Sequence, residues 1–205
     1  MDANLEKEEL ELLRRGPEQI ADVFSRYRER LQRLVRFRLD PRLLSRVECD
    51  DILQDAYVEI QRRIDDFLEA PNVPFFIWIR QLTLQTLIDT QRKHLGAKMR
   101  DVKREISIGK KSPGATNSFS IAAHLIGNLT SPSQAMMRQE RIEQVRIALE
   151  NMDETDREVL VLRHLEELNN NEVAQVLSLD KSAASKRYIR ALQKLKTVIE
   201  RESVR

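Results

Sequence analysis

The sequence predicts an all-α protein with two helical domains joined by a flexible linker. Apolar residues recur at helical spacing in two separate stretches, and the stretch between them has turn-forming composition. No alternating strand pattern occurs. The 205 residues include only 5 Gly and 6 Pro, most of them between the periodic segments. So few helix breakers favour long helices.

The first periodic stretch, residues 20–95, predicts a compact domain of three or four helices. One apolar stripe runs along the first helix, and Asp40-Pro41 marks its end. The second helix starts near Asp50 and has an apolar residue at every fourth position. Two prolines follow it, and the third helix runs from about residue 75 to 93.

Residues 105–133 lose this periodicity. The strings GKKSPGATNS and TSPS within them are rich in turn-forming residues. An ordered loop is one interpretation of this stretch. We favour the other, a flexible connection between the two domains.

Helical spacing resumes near Gln134 and predicts four further helices. Asp153 has the position of an N-cap for the second of them. Asn169 begins the third, and Glu172 three residues later completes a capping box. Asp180 caps the fourth helix, which runs to about residue 198.

Charge is distributed unevenly along the chain, although the net charge is only +2. Residues 50–66 are acidic, whereas residues 92–111 and 181–196 are basic. Separate acidic and basic faces would suit one basic partner and one polyanion.

The segment from Asn169 to Leu195 has the size of a helix-turn-helix, with its turn at Ser178-Leu179. Basic and small polar side chains early in the second helix suit contacts with phosphates and base edges. A solvated basic helix in an ordinary bundle is the alternative. The second helix would turn one set of residues inward: Ala184, Tyr188, Ala191 and Leu195. The residues that face out or flank this stripe are Lys181, Ser182, Ser185, Lys186, Ile189 and Arg190.

The stretch NNNEVAQVLSLDKSAASKRYIRALQKL resembles the promoter-reading helix-turn-helix of region 4 in the sigma-70 superfamily. The preceding LENMDETDREVLVLRHLEEL resembles the helix pair that opens that region. Three positions depart from the family pattern: Ser178 stands where glycine is common, Ala184 replaces a valine, and Tyr188 replaces a smaller aliphatic residue. The resemblance implies contacts with minus-35 DNA from Lys181, Ser182, Ser185, Lys186, Arg187 and Arg190.

An acidic cluster opens the second helix of the first domain. Asp51 and Asp55 lie four residues apart on one face, and acids near a helix N-terminus can simply stabilise their own helix. However, DDILQDAYVEI resembles sigma region 2.2, which docks on the clamp helices of the largest subunit of RNA polymerase. The resemblance implies core polymerase contacts from Asp50, Asp51, Gln54 and Asp55.

Aromatic residues precede basic and amide side chains in the helix after Pro74. This combination suits single-stranded DNA, although Trp78 and its neighbours could instead belong to the core. The pattern from Phe75 to Arg92 resembles sigma regions 2.3 and 2.4, which open and read the minus-10 element. The minus-10 residues expected on this basis are Arg80, Gln81, Gln85, Arg92 and Lys93.

The order of these motifs resembles the small extracytoplasmic-function (ECF) sigma factors, because the middle segment is too short for another domain. The expected domains are region 2 at 18–98, a linker at 99–137 and region 4 at 138–200. In that group the linker is expected to thread near the active-site cleft and the RNA exit path of the polymerase. The implied partners are core RNA polymerase and promoter DNA, with an anti-sigma factor as a further candidate.

Other classes of function fit less well. His94, His124 and His164 are scattered without metal-ligand spacing, and no phosphate loop or nucleophile motif occurs, so we expect no enzyme, cofactor or metal. The serious alternative is a stand-alone helix-turn-helix regulator that binds duplex DNA without polymerase. With one cysteine, no signal-peptide core and no membrane-length apolar run, we expect a cytoplasmic protein without a membrane partner.

Overall fold

The computed structural model describes residues 3–95, 118–127 and 135–202. These residues form nine α-helices and one short 3-10 helix, and they contain no strand. The prediction of an all-α fold is therefore confirmed. The chain divides into two compact units, residues 1–115 and residues 116–205.

The described part of the first unit contains four α-helices: α1 (Ala3–Leu13), α2 (Pro17–Arg38), α3 (Cys49–Glu69) and α4 (Phe75–Leu95). The 3-10 helix Pro41–Leu43 lies between α2 and α3. Helices α2, α3 and α4 pack against one another. Fully buried aliphatic side chains fill the space between them, among them Leu31, Val35, Ile60, Ile79 and Leu87.

Helix α1 lies before residue 18, where the sequence had placed the start of the first domain. It packs against α2 and α4, and Leu13 is fully buried. The Tyr27 hydroxyl donates a hydrogen bond to Glu9 Oε1 at 2.7 Å. Gly16, with φ 126°, makes the sharp turn into α2, in a region that residues with a Cβ rarely adopt. The first unit therefore includes a helix that the domain prediction left out.

The 3-10 helix is capped at its start and hydrogen-bonded to α4. Asp40 Oδ1 accepts a hydrogen bond from the Arg42 backbone N–H at 2.9 Å, which caps the helix. The buried Gln91 side chain on α4 accepts a hydrogen bond from the Asp40 backbone N–H at 2.8 Å. The sequence predicted that the first helix ends at Asp40-Pro41. The structure has an ordered turn there, which is hydrogen-bonded to α4.

Five helices are described in the second unit: α5 (Ser118–Gly127), α6 (Ala135–Glu150), α7 (Glu154–His164), α8 (Asn170–Val176) and α9 (Lys181–Glu202). Helix α9 packs on α6, α7 and α8. The predicted caps are present at the starts of α7 and α8, where Asp153 and Asn169 accept hydrogen bonds from free backbone N–H groups.

Helix α5 corrects the expectation of a flexible linker at 99–137. Its ten residues are helical and pack against α6, with Ile121, Ala122 and Ile126 buried. An isolated helix of this length is only marginally stable in water. Packing of its apolar residues within the folded unit stabilises it. The rest of the predicted linker before Ala135 lies outside the described residues.

Candidate functional site

Helix α8 is short but well capped. Asn169 Oδ1 accepts hydrogen bonds from the backbone N–H groups of Asn171 and Glu172 at 2.9 and 3.1 Å. The Glu172 carboxylate accepts one from the Asn169 backbone N–H at 2.8 Å. The capping box predicted from the sequence is thus confirmed.

The turn between α8 and α9 contains a residue in the left-handed region. Ser178 has φ 52°, a conformation that glycine adopts at lower cost. The Leu179 backbone N–H then donates to the Ala174 carbonyl at 2.8 Å, which closes the turn. Ser178 thus has a positive φ at the position where the family pattern commonly has glycine, and the departure from glycine carries a strain cost.

Two hydrogen bonds set the start of α9 against α8. Asp180 Oδ1 accepts from the Ala183 backbone N–H at 2.8 Å and caps α9 as predicted. The Asn170 side chain on α8 donates to the Lys181 carbonyl at 3.0 Å. Caps and turn together form the helix-turn-helix expected from the sequence.

The inner face of α9 follows the predicted stripe. Ala184, Ala191 and Leu195 are buried, whereas Tyr188 is half-buried at the edge. Its hydroxyl lies 3.2 Å from His164 Nε2 on α7. The small alanines allow close approach to the neighbouring helices.

The outer face of α9 carries exposed polar and basic residues. Ile189 interrupts them with an aliphatic side chain that is 54% exposed. Ser185 is partly exposed. The residues predicted to contact DNA that are exposed are Lys181, Ser182, Lys186 and Arg190.

Arg187 is placed differently from the other residues predicted to contact DNA. Its Nη1 donates to Asp156 Oδ1 at 2.8 Å and to Asp153 Oδ1 at 3.1 Å. Asp156 is buried on α7. Sequence reasoning missed this cluster, because only the folded unit brings residues 153, 156 and 187 together.

On α3, three of the four residues predicted to bind polymerase are exposed and have no ion pair among the contacts described: Asp51, Gln54 and Asp55. Asp50 is exposed as well, but Arg28 on α2 forms an ion pair with it at 3.0 Å. Gln32 also donates to Asp50 Oδ1, at 3.1 Å. Part of the Asp50 charge is therefore compensated within the first unit.

An apolar groove of about 370 Å³ lies beside this acidic face, between α2 and α3. Phe24, Leu53 and Tyr57 form its apolar wall, and Asp50 and Gln54 lie at its edge. The structure therefore brings the acidic residues together with an accessible apolar surface, which the sequence pattern alone did not indicate.

The residues of α4 predicted to contact the minus-10 element differ in their exposure. Gln81, Gln85, Arg92 and Lys93 are exposed. Arg80 is only 5% exposed, so it is not part of the surface on which we had expected it. Arg80 follows the buried Ile79, and packing of α4 against its neighbouring helices buries both side chains.

A second groove, of about 440 Å³, lies between α3 and α4. It brings Asp55 from the acidic face together with Gln85 and Lys93 from α4. Its rim also includes residues that the sequence analysis did not single out: Glu59, Arg62 and Arg63. Glu59 holds both arginines, at 3.0 and 3.1 Å, through i,i+3 and i,i+4 pairs that the sequence spacing could have indicated.

Two further observations concern membrane spanning and metal binding. No described helix is long and apolar enough to cross a membrane. Within the described ranges, no three His, Cys, Asp or Glu side chains lie together in a way that could hold a metal ion.

An all-helical chain with an acidic helix face in one unit and a capped, basic helix-turn-helix in the other has the features of a sigma-type transcription factor. A profile of "Sigma-70, region 4" matches residues 148–197, which include all of α7 and α8 and most of α9.

Relatives extend the similarity over most of the chain. RNA polymerase sigma factor CnrH of Cupriavidus metallidurans is 28% identical over 76% of this chain and 75% of its own length. ECF RNA polymerase sigma factor SigW of Bacillus subtilis is 21% identical over 93% of this chain and 94% of its own length. The region 4 profile and these relatives together support an ECF member of the sigma-70 family.

A solved structure of CnrH in complex with the cytosolic domain of CnrY has the same fold. The TM-score is 0.51 at 20% identity, and the match covers 95% of this chain and 96% of the CnrH chain. The similarity in fold therefore extends over both helical units.

Proposed function

We propose that this ECF sigma factor docks on core RNA polymerase through α3 and reads promoter DNA through α9 and α4. The observation that carries the proposal is the outer face of α9. It exposes cations and serines on the second helix of a capped helix-turn-helix, in the segment that matches sigma region 4.

The duplex-reading surface consists of Lys181, Ser182, Ser185, Lys186 and Arg190. Lysine and arginine would bind phosphates and guanine edges, and serine hydroxyls would bind phosphates or bases. Ile189 adds an apolar group suited to a thymine methyl. We assign this surface to the minus-35 element.

The docking surface consists of Asp51, Gln54 and Asp55, with Asp50 at its edge. The proposed partner is the pair of clamp helices of the largest polymerase subunit. Exposed acids would set the rate and specificity of docking, and the neighbouring apolar groove would supply buried area. Asp50 contributes less, because Arg28 already compensates its charge.

The minus-10 surface consists of Gln81, Gln85, Arg92 and Lys93 on α4. Their amides and cations would follow a single strand, and Gln85 and Lys93 border the groove between α3 and α4. Arg80 is left out because it is buried. Trp78 is also left to the core, where it stacks on Phe67.

The remaining assignments follow from family membership. The protein would act by binding and not by catalysis, in the cytoplasm, with the segment between the units near the polymerase active-site cleft. The complex of its relative CnrH with the cytosolic domain of CnrY supports an anti-sigma factor as a further partner. The relatives reported above are sigma factors, and none favours a stand-alone regulator.

Co-elution with bacterial core RNA polymerase on a sizing column tests the docking surface. Asp51→Lys with Asp55→Lys should abolish co-elution, because two attractive charges become repulsive. Asp65→Lys with Asp66→Lys is the matched control, since both residues are exposed on the same helix. Loss of co-elution in the first double variant alone supports the assignment. Retained co-elution with a native circular dichroism spectrum refutes it.

A further inference from the structure

Two cations of α9 lie between its outer face and its buried stripe. Arg187 and Lys194 are seven residues apart, about two helical turns, and therefore lie on one side of the helix. At about 100° per residue, Arg187 lies roughly 60° around the helix from the buried Ala184 and roughly 100° from the exposed Lys186. Arg187 thus lies at the edge of the buried stripe.

Both cations meet the same buried carboxylate. Asp156, in the first turn of α7, is 1% exposed. Arg187 Nη1 lies 2.8 Å from its Oδ1, and Lys194 Nζ lies 3.6 Å from its Oδ2. A carboxylate removed from water keeps its charge only when cations or donors meet it. Among the described residues, Oδ2 has no hydrogen-bond partner, so Lys194 is the charge it faces.

The same arginine also reaches the cap of α7. Asp153 Oδ1 accepts from the backbone N–H groups of Thr155 and Asp156 at 3.0 and 3.3 Å. Arg187 Nη1 donates to that oxygen at 3.1 Å. One guanidinium therefore joins the N-cap and first turn of α7 to the middle of the recognition helix.

We infer that Arg187 is a positioning residue, which sets α9 on α7 through Asp156 and leaves the DNA contacts to its exposed neighbours. This inference rests on the proposed function of α9 and revises the sequence-based assignment of Arg187 to the DNA-contacting set. Asp156 keeps the charges of Arg187 and Lys194 away from DNA.

The test compares the salt dependence of DNA binding by the full-length chain. Fluorescence anisotropy with a labelled mixed-sequence duplex between ~50 and ~200 mM salt gives the slope of log affinity against log salt. Lys186→Ala, the matched control, should reduce the magnitude of this slope by about one, because it removes a phosphate contact. Arg187→Ala should leave the slope unchanged. An equal reduction in both variants overturns the inference.

The Asp156→Asn substitution hardly changes the shape of the side chain. It should change the slope in the opposite direction to Lys186→Ala. Neutralising this carboxylate frees Arg187 and Lys194, so the slope should steepen by about one for each cation that reaches a phosphate. A merely loosened fold would not add a phosphate contact. An unchanged slope in folded Asp156→Asn protein therefore overturns the claim that Asp156 holds the cations back.

Hydrogen exchange separates this inference from the proposed function. Arg187→Ala should speed amide exchange in α9 and at the start of α7, and Arg187→Lys should partly restore protection. Lys186→Ala should change neither segment. If the wild-type chain binds no duplex without polymerase, the co-elution experiment still tests the proposed function, and exchange alone decides the positioning role. Equal exchange in Arg187→Ala and Lys186→Ala would then refute the positioning role.

Discussion

The indole of Trp78 stacks on the ring of Phe67, with ring centroids 4.5 Å apart and planes 20° apart. Phe67 lies in the last turn of α3 and Trp78 in the first turn of α4. Phe75 contacts both, with centroids 5.9 and 5.8 Å away. The stack therefore joins the two helices across their connecting loop, and Trp78 belongs to the core of the first unit.

Replacing Trp78 with alanine should lower the free energy of unfolding by about 2–4 kcal/mol, because a half-buried stacked ring is lost. Trp78→Phe should cost less, since a ring remains to stack on Phe67. Urea unfolding followed by circular dichroism measures both. An alanine variant as stable as wild type would show that the indole adds nothing to the core and would reopen a DNA-binding role.

Ser178→Gly should stabilise the second unit by about 0.5–1 kcal/mol. The gain comes from removing a Cβ at φ 52°, and the greater freedom of glycine in the unfolded chain limits it. Thermal unfolding measures the change. Ser185→Gly, inside α9, is the control and should destabilise by roughly 0.5 kcal/mol. The prediction is wrong if both substitutions destabilise equally.

His164 should make the second unit less stable in mild acid. Burial lowers the pKa of His164, and the positive charges of Arg163 and His124 lower it further. Because the folded state resists protonation, this contribution to stability is present above the unfolded pKa of about 6.5 and is lost as pH falls below it. Denaturant unfolding between about pH 7.5 and 5.5 should show the decline.

His164→Gln should flatten that decline, because glutamine does not titrate. Its amide could also keep a hydrogen bond with the Tyr188 hydroxyl, which lies 3.2 Å from His164 Nε2. His94→Gln, at an exposed position on α4, is the control and should retain the wild-type profile. If His164→Gln keeps the full pH dependence, its source lies in another group.

The features that the sequence predicted well are local ones. Asp153, Asn169 and Asp180 each cap a helix by accepting from backbone N–H groups two or three residues further on, so neighbouring residues suffice to indicate them. The helix-turn-helix follows directly from these caps. The strain at Ser178 could also be anticipated, because Ser178 stands where glycine is common in the family pattern.

The features that the sequence missed depend on tertiary contacts. Helices α1 and α5 are short, and each becomes ordered by packing against a longer helix. Arg80 and Arg187 have polar side chains typical of a surface, yet packing buries the first and Asp156 engages the second. Sequence spacing indicates which residues share one face of a helix. It does not indicate which other residues pack against that face. The assignments of the DNA and polymerase contacts stay predictions.

Cys49 is the first residue of α3 and the only cysteine of the chain. Its surroundings determine how the protein can be labelled with a fluorophore. It is half-buried, with its Sγ 3.8 Å from the Gln32 carbonyl oxygen, and burial raises the pKa of its thiol. At neutral pH the thiol therefore remains protonated and reacts slowly with maleimides and iodoacetamides. A second cysteine placed at an exposed position such as Ser182 would take up a fluorophore first, so the wild-type thiol need not be removed before labelling.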